Sequence, residues 1–242
     1  MTPEIVRIGS LLGVKTSALM PRLAPLEEHL ARELVISVPH GFDALSVSTH
    51  TDRATALAVC GSWLDALPGD QLELEVSATS VTARSDEAAL PPGAPALFAA
   101  LGELAAVGWD GTMWTYVLEH GNADDAARDA TAAWIDRVAE SLGVSEAQRK
   151  IAGGLHRSLA RAMPIRASVR SRDNAVEPAL TIAWDRVEWQ PIQSMLGGFY
   201  PRGNGVDKIG RLARAIDAES ATVELVLGSG AAPGVRFAFR LV

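Results

Sequence analysis

The chain has 242 residues, 48% hydrophobic and 21% charged, and a formal net charge of −7. That apolar supply is enough for a sizeable core and excludes a wholly disordered chain. The acidic balance excludes nucleic acid as the main partner, because phosphate binding needs a basic footprint. A single cysteine, Cys60, excludes an intrachain disulfide.

In chain order, the opening TPEIVRIGSLLGV predicts a short helix, with Thr2 as cap, Pro3 in the first turn and Gly13 as its end. Glu4 and Arg7 interrupt it and no small-residue cleavage site follows, so it does not read as a signal peptide. A second helix is expected from Pro25, with Leu26, Leu30 and Leu34 on one face. LVISV (34–38) and ALSVS (44–48) flank PHGFD and predict a β-hairpin. Thr51 or Asp52 caps a helix running to about Leu67. After the Pro68-Gly69-Asp70 turn, residues 71–84 read as one strand, with Leu72, Leu74 and Val76 facing one way and Glu73 and Glu75 the other.

Pro91-Pro92-Gly93 breaks that run, and a helix is expected over 95–107 and a strand over 112–120. Asn122 caps a long helix that Gly143 ends, and Ser145-Glu146-Ala147-Gln148 is a capping box for the next. Beyond Pro164, IRASVRS and ALTIAWDRV read as paired strands joined near Asp173-Asn174. The loop GGFYPRGNG leads to a helix over 206–216, and TVELVL and VRFAFRLV close the chain as strands. No run of about 18 apolar residues occurs, so no membrane-spanning helix is expected, and a cytoplasmic protein is.

The fold class expected from this order is α+β, a mostly antiparallel sheet with packed helices. Hairpin, helix, strand at 34–83 is echoed by hairpin, helix, strand, strand at 165–242. This suggests one globular unit, 1–242, with two pseudo-symmetric hairpin-helix-strand halves, 1–121 and 122–242. The halves differ in charge. The first carries 6 Lys+Arg against 15 Asp+Glu and the second 16 against 14, which suits the second to an anionic partner.

No catalytic fingerprint is present. His40 and His50 would lie at opposite ends of their hairpin, roughly 20 Å apart at strand rise, too far to share a metal ion. Ser46, Ser48 and His50 share a strand face, but no G-x-S-x-G elbow supports a nucleophile, and a solvated polar face explains them. Asp124, Asp125 and Asp129 with Glu119-His120 form an acidic cluster that a helix N-terminus accounts for. Cys60 reads as a small buried hydrophobe. No metal and no cofactor are expected.

Two regions are candidates for binding. Arg166, Arg170 and Arg172 share strand parity, with Arg157 and Arg161 just before them, and suit a carboxylate, a phosphate or an acidic peptide. Asp185 on the neighbouring strand could instead pair with one arginine. The Gly-rich loop brings Trp189, Tyr200, Arg202, Asn204 and Lys208 together, although it matches neither a P-loop nor a dinucleotide fingerprint. Trp63, Trp134 and Trp184 fall at core positions, while Trp109 and Trp114 lie near strand ends.

The favoured reading is a non-catalytic binding or accessory protein that recognises a peptide or protein partner, for example by adding a strand to an open sheet edge. One alternative is an enzyme with a dispersed site of His40, His50, His120 or His156 and nearby carboxylates. Another is a structural subunit of a homodimer or larger homo-oligomer.

Overall fold

The computed structural model describes residues 2–39, 44–87, 103–120, 125–159, 165–173, 175–188, 192, 204–228 and 233–241. Among them run ten strands: β1 (Leu34–Pro39), β2 (Ser46–Asp52), β3 (Gln71–Ser77), β4 (Val81–Ser85), β5 (Glu103–Trp109), β6 (Trp114–His120), β7 (Ile165–Arg172), β8 (Ala175–Glu188), β9 (Ser220–Leu227) and β10 (Gly234–Leu241). Each pairs antiparallel with its neighbours in sequence, and β10 returns to β1, with Leu241 opposite Leu34 and Arg236 opposite Pro39. The sheet therefore closes into a barrel.

Helices α1 (Thr2–Leu12), α2 (Met20–Leu23), α3 (Glu27–Leu30), α4 (Arg53–Cys60), α5 (Asp125–Ser141), α6 (Glu146–Leu159) and α7 (Asn204–Ala215), with 3-10 turns at Ala24–Leu26 and Gly61–Ala66, complete the described elements; the helix expected from Asp52 to about Leu67 is α4 followed by the second of these turns. Among the described residues no helix is long and apolar enough to cross a membrane.

The expected α+β sheet with two pseudo-symmetric halves is thereby corrected. The molecule is mostly β, a barrel of five successive hairpins. The physical reason is closure: pairing β1 with β10 satisfies two strand edges that an open sheet would leave bare. Local periodicity carries no trace of that long-range pairing.

Alternation divides every strand between two environments. Leu72, Leu74 and Val76 of β3, Val223 and Leu225 of β9, and Phe237 and Phe239 of β10 are buried on the outer face. Helices cover that face, contributing Ile5 and Ile8 of α1, Trp134 and Val138 of α5, and Leu155 of α6. Each fully buried side chain of this size contributes about 1.5–3 kcal/mol. The core is thus a shell between barrel and helices, not the barrel's centre.

Several local expectations appear as read. The Asp52 carboxylate accepts from the Thr55 amide at 2.9 Å and caps α4. Gly13 and Gly143, at φ +76° and +74°, end α1 and α5. Ser145 Oγ accepts from the Gln148 amide at 3.5 Å. Trp134 and Trp184 are buried, and Trp63 packs partly buried against the core.

Two expectations fail. Residues 71–84 form two strands, turned by Ser77 and Ser80. The Ser77 amide donates to the Ser80 carbonyl and the Ser80 amide to Ser77 Oγ, both at 2.9 Å. That turn contains neither Gly nor Pro, so the usual signal was missing. Over 103–107, where a helix was expected, the chain forms β5. Its alanines favour helix intrinsically, but pairing with β4 and β6 overrides that preference.

Candidate functional site

Apart from Val35, Val117 and Val226, the described strand residues that line the interior are polar or small. Ser37, Ser48, Ala106, Ser168, Ala183 and Ala238 leave room along the axis, and the barrel encloses a chamber of about 1170 Å³. Gly108 adds space where it is needed. A Cβ there would stand 3.1 Å from Arg84 Cγ and 3.3 Å from the Ala83 carbonyl oxygen, so its hydrogen lets the Arg84 side chain pass.

Six arginines and eight carboxylates line the chamber among the described residues, and no Trp, Tyr or Phe does. The charges form a connected network. Arg84 lies 3.4 Å from Glu73 and 3.3 Å from Glu75. Arg236 contacts Glu75, donates to Ser46 Oγ at 2.7 Å and stands 3.7 Å from Glu224. Arg166 holds both oxygens of Asp185 at 2.7 Å, and Thr222 donates to Asp185 at 2.8 Å.

A register shift between Trp184 and Val187, with Arg186 at φ +53°, accompanies the turning of Asp185 toward Arg166. Bulges beside functional sites often re-aim a side chain in this way. At one mouth Glu33 accepts from His50 Nδ1 at 2.7 Å and from Arg240 at 3.0 Å. At the other, Arg170 pairs with Asp110 at 3.0 Å.

Burial and charge set the protonation of these groups. Burial pushes Glu224 above the usual carboxylate range; Arg84 and Arg166 oppose this, and Glu73 and Asp185 add to it. For Glu73 burial also acts upward, but Arg84, His50 and Arg166 outweigh it and hold the carboxyl below that range. Burial likewise lowers Arg236 from its ordinary value. Glu73, Glu75 and Glu224 thus share Arg84 and Arg236, one more carboxylate than cation, and Glu224 has the raised affinity for a proton. Among the described residues Arg84 Nε and Arg166 Nε are buried without a hydrogen-bond partner, donors that a polar ligand in the chamber can use.

The sequence candidates separate into distinct places. Arg166 and Arg170 both face the lumen, whereas Arg172 is exposed at the end of β7 and outside the lining. The anticipated pairing of Asp185 with one arginine is present. Lys208 stands in α7, where its Nζ donates to the Leu12 carbonyl at 3.2 Å and caps α1, while Arg7 donates to the Ala215 carbonyl at 3.0 Å and caps α7. Asn204 begins α7, and its side chain lies outside the described residues, as do Trp189, Tyr200 and Arg202.

Of the histidines, His40 is outside the described residues and His50 lines one mouth. His120 and His156 sit on the outer side. His120 stacks on Trp134 at 5.0 Å. His156 is fully buried, accepts from Trp184 Nε1 at 3.2 Å and donates from Nε2 to the Arg128 carbonyl at 3.1 Å.

Sequence reasoning missed Glu73, Glu75, Arg84, Glu224 and Arg236 as a group. The available signal was charge at every second position of several strands, which also fits faces open to solvent.

No family model matches the sequence, and no curated protein is detectably similar to it. Solved structures do resemble the barrel. One is 5-dimethylallyl tryptophan synthase from Streptomyces coelicolor in complex with DMASPP and Trp. It is 12% identical, with a TM-score of 0.65 over 96% of this chain and 91% of that one. A second structure of that synthase gives 0.63 at 12% identity, over 96% and 94%. This chain has that barrel fold.

The reading as a non-catalytic peptide- or partner-binding accessory protein is corrected accordingly. The likeness is to an enzyme's barrel, and closure of β1 on β10 removes the sheet edge to which a peptide strand was to be added.

Proposed function

We propose that this chain is an enzyme that transfers a dimethylallyl-type group from a diphosphate donor to an acceptor inside the barrel. The observation that carries this reading is the chamber of about 1170 Å³, lined by arginines and carboxylates. It lies at the centre of a fold shared with 5-dimethylallyl tryptophan synthase. Arg84 and Arg166, each with a buried unpartnered Nε, are the cations placed to hold the diphosphate. Arg170 stands at one mouth, where it can receive the donor's charge. As the bond between the allylic carbon and the diphosphate oxygen breaks, its electron pair leaves with the diphosphate, and the arginines stabilise the growing charge. The acceptor forms the new bond to that carbon and loses a proton. Glu224, with its raised proton affinity, is the group suited to take it.

The test is to incubate the purified chain with dimethylallyl diphosphate and a panel of acceptors, following diphosphate release and acceptor mass. Release that depends on an acceptor, and falls at least about tenfold in both Arg84→Met and Arg166→Met, is expected, since each lost charge-assisted contact is worth about 1.5–3 kcal/mol. Absence of both donor binding and release across the panel would overturn the reading.

A further inference from the structure

The charge balance of the chamber points to a particular kind of acceptor. Among the described residues eight carboxylates line the chamber against six arginines, and Glu73, Glu75 and Glu224 have Arg84 and Arg236 as their ion-pair partners. Arg166 is shared with Asp185 and Arg170 with Asp110, so each brings only part of its charge to the cluster or to a donor. A multiply charged diphosphate entering such a chamber adds negative charge to an existing excess in a poorly solvated space. That is unfavourable unless a cation enters with it. The lining also offers an uncharged aromatic acceptor little, because no Trp, Tyr or Phe faces the chamber among the described residues. Carboxylates and hydroxyls, by contrast, are what an ammonium or guanidinium ion needs.

We propose that the acceptor is a cationic nitrogen compound, an amine or a guanidine, whose charged end sits against Glu224 in the middle of the barrel. This rests on the transfer reading above and specifies its substrate class. In the reaction the ammonium or guanidinium gives a proton to the Glu224 carboxylate. The freed nitrogen lone pair forms a bond to the allylic carbon while the carbon–oxygen bond breaks, its electrons leaving on the diphosphate. Burial favours the protonated form of Glu224 and so favours the first step. The acceptor cation and the donor diphosphate also offset each other's charge, so each must tighten the binding of the other by the same factor.

Calorimetry on the full chain tests this, with inorganic diphosphate as donor probe and agmatine as acceptor probe, at constant ionic strength. Agmatine is expected to tighten diphosphate binding about tenfold, within the usual range of coupling between sites. Glu224→Gln, checked for folding by its melting curve, should abolish the coupling while diphosphate still binds. With dimethylallyl diphosphate, agmatine should gain the allyl group. Three outcomes overturn the proposal and leave the transfer reading standing: coupling to indole but not to agmatine, diphosphate binding helped only by magnesium, or coupling that survives Glu224→Gln. If neither inorganic diphosphate nor dimethylallyl diphosphate binds under any of these conditions, both readings fail. Should Glu224→Gln not fold, competition between agmatine and indole for allyl transfer in the unaltered chain decides the acceptor class.

Discussion

The two faces of the barrel wall are made by the same strands and follow opposite rules. On the outer face Leu72, Leu74, Val223, Leu225 and Phe237 are almost wholly buried beneath helices. One residue along from each, on the inner face, stand the charged side chains Glu73, Glu75, Glu224 and Arg236. The outer face holds the fold by excluding water, and its cost of alteration is set by packing. The inner face contributes less to stability, because desolvating its charges cancels much of what their pairing returns. Stability and chemistry are thereby separated by a single step along each strand.

The comparison breaks most readily at the outer face. Phe239 is fully buried, and Phe239→Ala is expected to cost about 3–5 kcal/mol in denaturant unfolding. A loss below about 1 kcal/mol would mean that the shell is not the core. Next comes the inner network. Arg236→Met leaves Glu75 without its close partner and should cost about 1–3 kcal/mol, less than the outer substitution. Equal stability losses at Phe239 and Arg236 would erase the distinction between the faces.

A third, smaller effect lies where helix α6 meets the barrel. Burial holds His156 below its ordinary value of 6.5, despite the opposing hydrogen bond to the Arg128 carbonyl. A group whose folded value is depressed stabilises the fold above its unfolded value and loses that contribution as pH falls. Unfolding free energy should therefore decline as the pH drops from about 6.5, and His156→Gln should flatten that decline. An unchanged slope in the variant would assign the decline to other groups. The smallest effect concerns Cys60. Burial pushes its thiol up to about 12, so alkylation by iodoacetamide at neutral pH should be slow in the native protein and fast once it unfolds, with no bearing on lumen chemistry. Rapid native labelling would show that the outer shell opens at α4.

Much of the outer face was legible. Leu72, Leu74 and Val76 announce a buried stripe by strict alternation, and Asp52, Gly13 and Gly143 mark helix ends by local chemistry that no distant contact alters. The candidate site was only partly legible. Arg166, Arg170 and Asp185 could be placed on neighbouring strands, because β7 and β8 form a hairpin and their pairing is local. Arg84 and Arg236 could not be brought together in the same way. They lie on strands far apart in sequence: Arg84 reaches Glu75 across the local β3–β4 hairpin, but Arg236 reaches it only because the barrel closes. The Ser77–Ser80 turn was hidden for a different reason, since serine side chains supply its hydrogen bonds without a glycine to advertise it.

By itself the sequence determined which residues alternate, where most elements begin and end, and which side of each strand is apolar, because those properties depend on neighbours a few positions away. Only the tertiary structure decided what lies on the polar side. A row of Glu, Arg and Ser at every second position has the same pattern whether it faces bulk water or a chamber. The pairing of β10 with β1, made across nearly the whole chain, turns that face inward.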